Sequence, residues 1–302
     1  MEQRQGLGYG LAAYLLWGLF PLYFTLFSRS GAFEVVAHRA LWSAGLCLLI
    51  LGATGKLGEL RQILANRKMA LSIGVAGLLI ATNWTVYVYG VNTGRTLDAA
   101  LGYFINPLAV TALGVLVLRE KLRPLQWAAI FAGVAAVVVL LFGYGQFPYI
   151  ALTLAASFGT YSLVKKVSGA SVTPVAGLAF ETLTVAPIAL GFLIYLAATG
   201  MATVDLFSGY GALMASTGVV TAVPLLLFAA CARRVSMVTL AMLQYVAPVG
   251  QFLLGWLVFH EPMPLSRWLG FGFVWLAIAL FATDVVASTR AHARGRAAVA
   301  DV

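Results

Sequence analysis

The charged side chains inside long apolar stretches are the residues in this sequence best able to do chemistry. His38 and Arg39 lie in the second apolar stretch and Glu181 in the seventh, with Glu34 and Asp98 nearer the ends of theirs. A charge at membrane depth is costly, so it usually faces a cavity, a partner or a substrate pathway. Arg39 is therefore a candidate anchor for a carboxylate or another anion. Glu181 is a candidate proton-linked gate or cation site.

Two alternatives to a functional role stay open for this pair. Arg39 and Glu181 could form a structural ion pair, or Arg39 could extend its guanidinium to the membrane surface. We expect the effects of the two charges on stability to be coupled, because removing one charge of a buried pair leaves the other buried without a partner. Neutralising one should then do more harm than neutralising both.

Uncharged polar residues share helical faces in several apolar stretches. Asn83 and Tyr87 are four residues apart, and Tyr103 and Asn106 are three apart, so each pair projects from one side of a helix. We expect such residues to line a cavity. The alternatives are hydrogen bonds between helices for the amides, and packing or an interfacial belt for the aromatic residues. The candidate cavity residues are Trp17, His38, Arg39, Asn83, Tyr87, Tyr103, Asn106, Glu181, Thr221 and Gln244.

Two prolines lie near the middle of apolar stretches, at Pro107 and Pro248. Proline removes a backbone hydrogen bond and clashes with the preceding turn, so each position predicts a kink. Kinked or broken helices at matching positions are typical of the moving part of a transporter. The alternative is that both prolines only shape the bundle.

Composition places these residues in a bilayer. Of 302 residues, 62% are hydrophobic and only 10% are charged. The apolar runs are continuous rather than alternating, and lipid requires a backbone satisfied within each segment, which predicts helices. The sequence predicts an all-α integral membrane protein with ten transmembrane helices, at residues 6–27, 33–52, 69–91, 97–118, 125–142, 149–164, 174–198, 210–232, 237–259 and 268–286.

The second half of the chain repeats the first at one constant, gap-free offset. The pairs Pro107/Pro248 and Trp127/Trp268 share this offset and join scarce residue types. We expect a first repeat at 6–142, a second at 149–286 and a disordered cytoplasmic tail at 287–302. Each repeat holds five predicted spans, an odd number, so the second is inverted relative to the first. Inverted repeats are the architecture of secondary transporters.

The net charge of +9 follows the predicted topology. Most of the basic residues fall in loops on the side of the N-terminus, whereas Arg29, Arg95 and Arg267 fall on the other side. The positive-inside rule therefore predicts that both termini are cytoplasmic. Because the charge is dispersed among loops, we do not expect a nucleic-acid partner.

Five blocks of sequence resemble a known family. The two repeated helices that end in a glutamate resemble paired EamA domains of the drug/metabolite transporter superfamily. Within it, the residues at 34–43, 83–84, 102–108, 220–225 and 244–248 are similar to the RarD group. The last block adds Tyr245 to the cavity candidates. The resemblance implies ten helices, a central cavity between the repeats and a bacterial inner-membrane location. It implies no particular substrate.

The leading hypothesis is a secondary transporter that moves a small organic solute, a metabolite or a drug, by alternating access. Protons are a candidate coupling ion, and we expect no cofactor and no metal. An intramembrane enzyme is one alternative, but His38, His260 and His292 are scattered and no metalloprotease motif is present. A membrane sensor or scaffold is the other, although no loop is long enough for a soluble domain.

Overall fold

The structure is helical throughout the part that can be described. This computed structural model describes residues 2–118, 122–143, 147–168, 172–232, 234 and 243–300, and within them every regular element is a helix. The helices are α1 (Glu2–Gly18), α2 (Phe20–Phe24), α3 (Ala32–Ala53), α4 (Gly58–Ala65), α5 (Arg67–Asn92), α6 (Thr96–Leu118), α7 (Pro124–Gly143), α8 (Tyr149–Ser168), α9 (Pro174–Ala198), α10 (Gly209–Ala232), α11 (Val246–Leu253) and α12 (Leu265–Ala300).

Length and composition identify the membrane-crossing candidates among the described residues. Five helices are long and apolar enough, and the bent pair of α1 and α2 makes up to six. Three further helices are apolar but shorter, at Pro124–Leu140, Tyr149–Val164 and Val246–Val258. The predicted bounds at 174–198 coincide with those of α9. Of the predicted span at 237–259, residues 237–242 lie outside the described residues, and its last turn, Leu254–Val258, is π-helical.

The first predicted span is bent rather than straight. α1 meets the segment after it at 42°. Pro21 lies in the first turn of α2 and has no N–H to donate to the carbonyl oxygen of Trp17. That oxygen instead accepts a hydrogen bond from the side-chain nitrogen of Gln251 at 3.1 Å. The lost backbone bond is thus replaced by a side chain from α11.

Two further features differ from the sequence analysis. The short helix α4 was not predicted from the sequence. Its buried residue is the apolar Ile63. At the other end of the chain, α12 continues through residues 287–300, where a disordered tail was expected.

The contacts define two ends of the bundle. Gly10 in α1 lies against Cys231 near the end of α10 and Leu243 before α11. We call this the N-terminal end. At the opposite end, Asn92, the last residue of α5, donates to the carbonyl of Phe27 at 3.4 Å, and Leu97 at the start of α6 lies against Gly255. The loops at 28–31, 93–95, 199–208 and 259–264 all lie at this opposite end.

The two halves of the chain pack mainly against each other. α3 packs on α9 and α10, α5 on α8 and α9, α1 on α10 and α11, and α7 on α12. Glycine allows the closest approaches. A Cβ at Gly77 of α5 would lie 2.5 Å from the carbonyl oxygen of Glu181 in α9, and one at Gly218 of α10 would lie 2.8 Å from the backbone of Trp42 in α3. Small residues at such crossings are typical of membrane bundles.

Candidate substrate-binding site

A buried arginine lies where α3 meets helices of both halves. Arg39 is 3% exposed, and its helix runs between α9 and α10 of the second half and α5 of the first. Residues 34–40 of α3 are all buried, so neighbouring helices enclose this part of α3 on every side. Arg39 therefore holds its charge inside the bundle and not at the surface, which excludes the alternative in which it extends to the interface.

The guanidinium of Arg39 is held by one hydroxyl and several aromatic rings. Its Nε donates to Thr221 Oγ1 of α10 at 2.8 Å. The guanidinium carbon lies 4.1 Å from the ring centroid of Trp84, 5.3 Å from that of Phe24 and 5.7 Å from that of Phe20. Cation–π contacts stabilise a desolvated cation by about 2 kcal/mol each. They stabilise the charge but do not neutralise it.

Tyrosines continue the cluster along α5 and α6. The ring of Tyr87 packs against Phe24 at 5.9 Å and against Tyr103 at 5.8 Å. Tyr103 donates to Asn83 Oδ1 at 2.9 Å, and Asn83 Nδ2 donates to the carbonyl of Leu154 and to Ser157 Oγ, each at 3.1 Å. Asn83 thus joins α5 to α6 and α8. The hydroxyl of Tyr87 is different, since it is buried and has no hydrogen-bond partner among the described residues.

Glu181 lies apart from this cluster. It is 1% exposed and accepts a hydrogen bond from Tyr161 of α8 at 3.3 Å, while its backbone lies against Gly77. Gly77 is two turns, about 10 Å of helix rise, from the Trp84 that stacks on Arg39. Within the described residues, Arg39 and Glu181 do not form an ion pair. The structural ion pair considered in the sequence analysis is therefore not formed.

The other sequence candidates are spread around the bundle. Trp17 packs against Tyr14 and Phe228, at 5.2 and 5.9 Å between ring centroids. His38 is buried, one residue before Arg39, and interacts electrostatically with Glu34. Asn106 is buried, and its Oδ1 has no partner among the described residues.

The remaining candidates belong to the repeated helices. Gln244 and Tyr245 precede α11 and are half-buried, and Tyr245 packs against the apolar cluster around Phe252. Pro248 is buried in the first turn of α11. α6 is one helix through Pro107, whose side chain lies outside the described part of the structure.

A cavity approaches the cluster from the N-terminal end. It has a volume of about 290 Å³ and lies between α3, α9 and α10, with Lys56 and Arg234 at its mouth. Deeper between the same helices, a smaller space reaches Cys47 and Ala222. Ala222 follows Thr221, the partner of Arg39, in the sequence of α10. The cavity at the N-terminal end is thus bounded by the same three helices, α3, α9 and α10, that enclose the arginine.

At the opposite end, direct bonds join the two halves. Arg267 of α12 donates to Asp98 Oδ1 of α6 at 2.8 Å, and Arg95 donates to Asp98 Oδ2 at 2.7 Å. The carboxylate of Glu261 accepts the backbone N–H groups of Thr96 and Leu97, at 2.5 and 3.0 Å, which caps the start of α6. Burial raises the pKa of the Glu261 carboxyl above its ordinary value, although these N–H groups and Arg267 oppose the shift.

A second contact at this end joins α3 to the loop before α10. Glu34 accepts the backbone N–H and the hydroxyl of Thr203, at 2.8 and 2.7 Å. Ser30 bonds to the hydroxyls of Thr203 and Tyr210, at 2.5 and 2.6 Å. Contacts between the halves occur at the N-terminal end too, where Thr173 donates to Glu59.

Several of these residues are not among the site residues predicted from the sequence. Trp84, Phe20 and Phe24 form the aromatic wall around Arg39, and their spacing gave a usable signal, because Phe20 and Phe24 are four residues apart and Trp84 is three before Tyr87. Glu261 and Arg267 gave no comparable signal, since both lie outside or at the edge of the predicted spans.

The two halves of the chain each match one known family. The model of the EamA-like transporter family matches at residues 4–142 and again at residues 148–283. The chain belongs to the EamA-like transporter family. Its EamA halves meet around Arg39, and among the drug/metabolite transporters it is RarD-like. Protein RarD of Streptomyces exfoliatus is 46% identical over 96% of this chain and 91% of that protein.

Two further comparisons agree. An uncharacterized transporter of Bacillus subtilis, YojE, is 40% identical over 96% of this chain and 97% of its own length. A solved crystal structure with 18% identity superposes with a TM-score of 0.60, covering 92% of this chain and 96% of the other. At that identity the superposition shows the fold alone. The names of the EamA family and of YojE are those of transporters, and they point to membrane transport rather than to an enzymatic activity. Together with the apolar helices, membership of this family identifies the chain as a multi-pass membrane protein.

Proposed function

We propose that the protein is a secondary transporter that moves a small organic solute across the bacterial inner membrane by alternating access. In this proposal the ten predicted spans form two inverted five-helix repeats, with the solute site between them. The observation that carries the proposal is the difference between the two ends of the bundle. A cavity opens between the halves at the N-terminal end, and bonds between the halves close the opposite end.

The directions of equivalent helices support the inverted repeat. α1 begins at the N-terminal end, beside Cys231, whereas its equivalent in the repeat alignment, α8, begins at the opposite end, where Ile150 lies against Gly90. Gly77 and Gly218 are equivalent positions in the same alignment, and each provides a close crossing with a helix of the other half. Exchange of the halves therefore maps one crossing onto the other.

The distribution of charge supports an orientation. Lys56, Arg67 and Lys68 lie near the N-terminal end, and Arg29, Arg95 and Arg267 lie at the opposite end. Basic loops are retained in the cytoplasm. We assign the N-terminal end to the cytoplasm, so that the conformation observed is closed towards the periplasm and has its cavity on the cytoplasmic side.

The Arg39 cluster is the part of the interface best suited to hold the solute. It contains a buried cation, a tyrosine hydroxyl without a partner and an aromatic wall contributed by α2 and α5. Elsewhere between the halves, Asn106 of α6 and Gln251 of α11 each carry a buried side-chain oxygen without a partner among the described residues. Glu181 is our candidate for carrying a coupling proton, because it is a buried carboxyl in contact with both α5 and α8.

Ligand screening followed by transport tests the proposal. Purified protein is heated with a panel of amino acids, nucleosides, sugars and hydrophobic drugs, since a ligand of the native state raises the unfolding temperature. Solutes that stabilise it are then offered to liposomes that contain the protein and are preloaded with the same solute unlabelled. Exchange of labelled solute above that of empty liposomes supports a transporter. Stabilisation without any exchange would favour a sensor.

A further inference from the structure

We infer that the site binds a small organic carboxylate with an apolar or aromatic body, anchored on Arg39. This inference rests on the proposed function, because it names the class of solute that the same site would carry. The first observation that supports it is that the guanidinium has more N–H donors than hydrogen-bond acceptors around it. Arg39 has five N–H donors, and Thr221 is its hydrogen-bond acceptor among the described residues.

The charge of Arg39 has no carboxylate partner in the described part of the chain. The ion pairs found there join Arg95 and Arg267 to Asp98, and Arg123 to Asp284. A buried cation without an anion is costly, and an anionic ligand would supply the missing charge. A cationic ligand would meet repulsion at the same place. The sign of the site therefore selects an anion.

Two buried hydroxyls add to the anion site. The Tyr87 hydroxyl has no partner among the described residues and lies within electrostatic range of Arg39. The Ser43 hydroxyl is buried without a partner as well, and Ser43 is one turn from Arg39 on the same face of α3. Each can donate one hydrogen bond to an acceptor that the protein itself does not provide.

Shape narrows the class to a carboxylate on an apolar body. A guanidinium recognises a planar carboxylate through two parallel hydrogen bonds. The surroundings are the rings of Trp84, Phe24 and Phe20, which offer apolar faces rather than further hydrogen bonds. A carboxylate bound to Arg39 would place its apolar part against this wall.

The cavity at the N-terminal end is positively charged, as Arg39 is. The cavity at the N-terminal end has Lys56 and Arg234 at its mouth, with Glu59 nearby in a hydrogen bond to Thr173. A smaller space lies deeper between the same helices and is lined by Cys47 and Ala222, the neighbour in sequence of Thr221. Two cations at the mouth attract anions and lower the barrier to their entry.

Matched probes test this inference on the full-length protein in detergent. Phenylacetate, the neutral phenylacetamide and the cationic phenethylamine share one apolar body and differ in charge. We expect phenylacetate to raise the unfolding temperature and the other two to have no effect at equal concentration. Arg39→Gln should abolish the shift. Arg39→Lys should weaken it, because an ammonium lacks the bidentate geometry.

Tyr87→Phe keeps the inference testable if the Arg39 variants do not fold. Removal of a hydroxyl without a partner should leave the unliganded protein as stable as the wild type. Phenylacetate affinity should nevertheless fall about tenfold, the loss expected for one charge-assisted hydrogen bond. Arg29→Gln, which removes a cation stacked on Tyr210 at the opposite end, is the control and should bind phenylacetate normally.

The outcomes separate the two proposals. Equal binding of all three probes, or phenylacetate binding that is unchanged in both Arg39→Gln and Tyr87→Phe, would overturn the carboxylate site even if a neutral solute is transported. The protein could instead bind phenylacetate selectively, in a way that depends on Arg39, and yet exchange no solute in liposomes. This result would support the carboxylate site and would contradict only the proposal that the protein is a transporter.

Discussion

A single methyl group at Gly77 should destabilise the protein by overpacking the contact between α5 and α9. In Gly77→Ala the new Cβ would lie 2.5 Å from the Glu181 carbonyl oxygen and 3.0 Å from its Cα. These are backbone atoms, so neither can move away without shifting a helix. Overpacking of this kind costs about 1–3 kcal/mol. Gly218→Ala should cost a similar amount, since its Cβ would lie 2.8 Å from the backbone of Trp42.

The measurement is the free energy of unfolding in mixed micelles, titrated with a denaturing detergent. Gly45→Ala and Gly191→Ala are the matched controls, because both glycines lie within helices and a Cβ at either meets nothing within 4 Å. Both controls should equal or exceed the wild type, as alanine favours a helix over glycine by up to about 1 kcal/mol. Wild-type stability in Gly77→Ala, or an equal loss in Gly45→Ala, would refute the close crossing.

Three further predictions concern polar groups. Burial raises the pKa of Glu261, so between the ordinary pKa of a glutamate and this raised pKa the folded protein binds more protons than the unfolded chain. Thermal stability should therefore fall as pH rises through this window in the wild type, and it should change less in Glu261→Gln. Identical pH profiles of the two proteins would count against the burial of this carboxyl. Asn83→Leu should cost about 1–3 kcal/mol by leaving the Tyr103 hydroxyl and the Leu154 carbonyl with lost partners, and unchanged unfolding would contradict it. Arg39→Gln and Glu181→Gln should have additive effects on the free energy of unfolding, within about 0.5 kcal/mol, because the two side chains do not contact each other. A double variant more stable than either single variant would instead show the coupling that the sequence predicted.

The spans were predictable because their signal is local. A continuous apolar run leaves the backbone no solvent to bond with, so it forms a helix wherever it lies. The bounds of α9 show this, since Thr173 caps the helix and Pro174 opens it. The bend after α1 was harder to foresee, because Pro21 sits close to the end of the run and its effect depends on Gln251, which lies in the other half of the chain.

The arrangement of side chains between helices was less predictable. The sequence predicted that Arg39 and Glu181 are coupled, and α3 and α9 do pack together. It could not give the rotation of each helix about its axis, which turns Arg39 towards α10 and Glu181 towards α5 and α8. The same limit applies to Asn83, whose face was identified but whose partner in α8 was not.

A reversible crosslink across the opposite end tests alternating access most directly. Ser30 and Thr203 belong to different halves, and their hydroxyl oxygens are 2.5 Å apart. Cysteines at these two positions, in a background without Cys47 and Cys231, should form a disulfide that holds this end closed. Our account predicts that oxidation stops exchange of the solute identified by screening, that a reducing agent restores it, and that the single-cysteine variants are unaffected. Undiminished exchange with the disulfide fully formed would contradict the account.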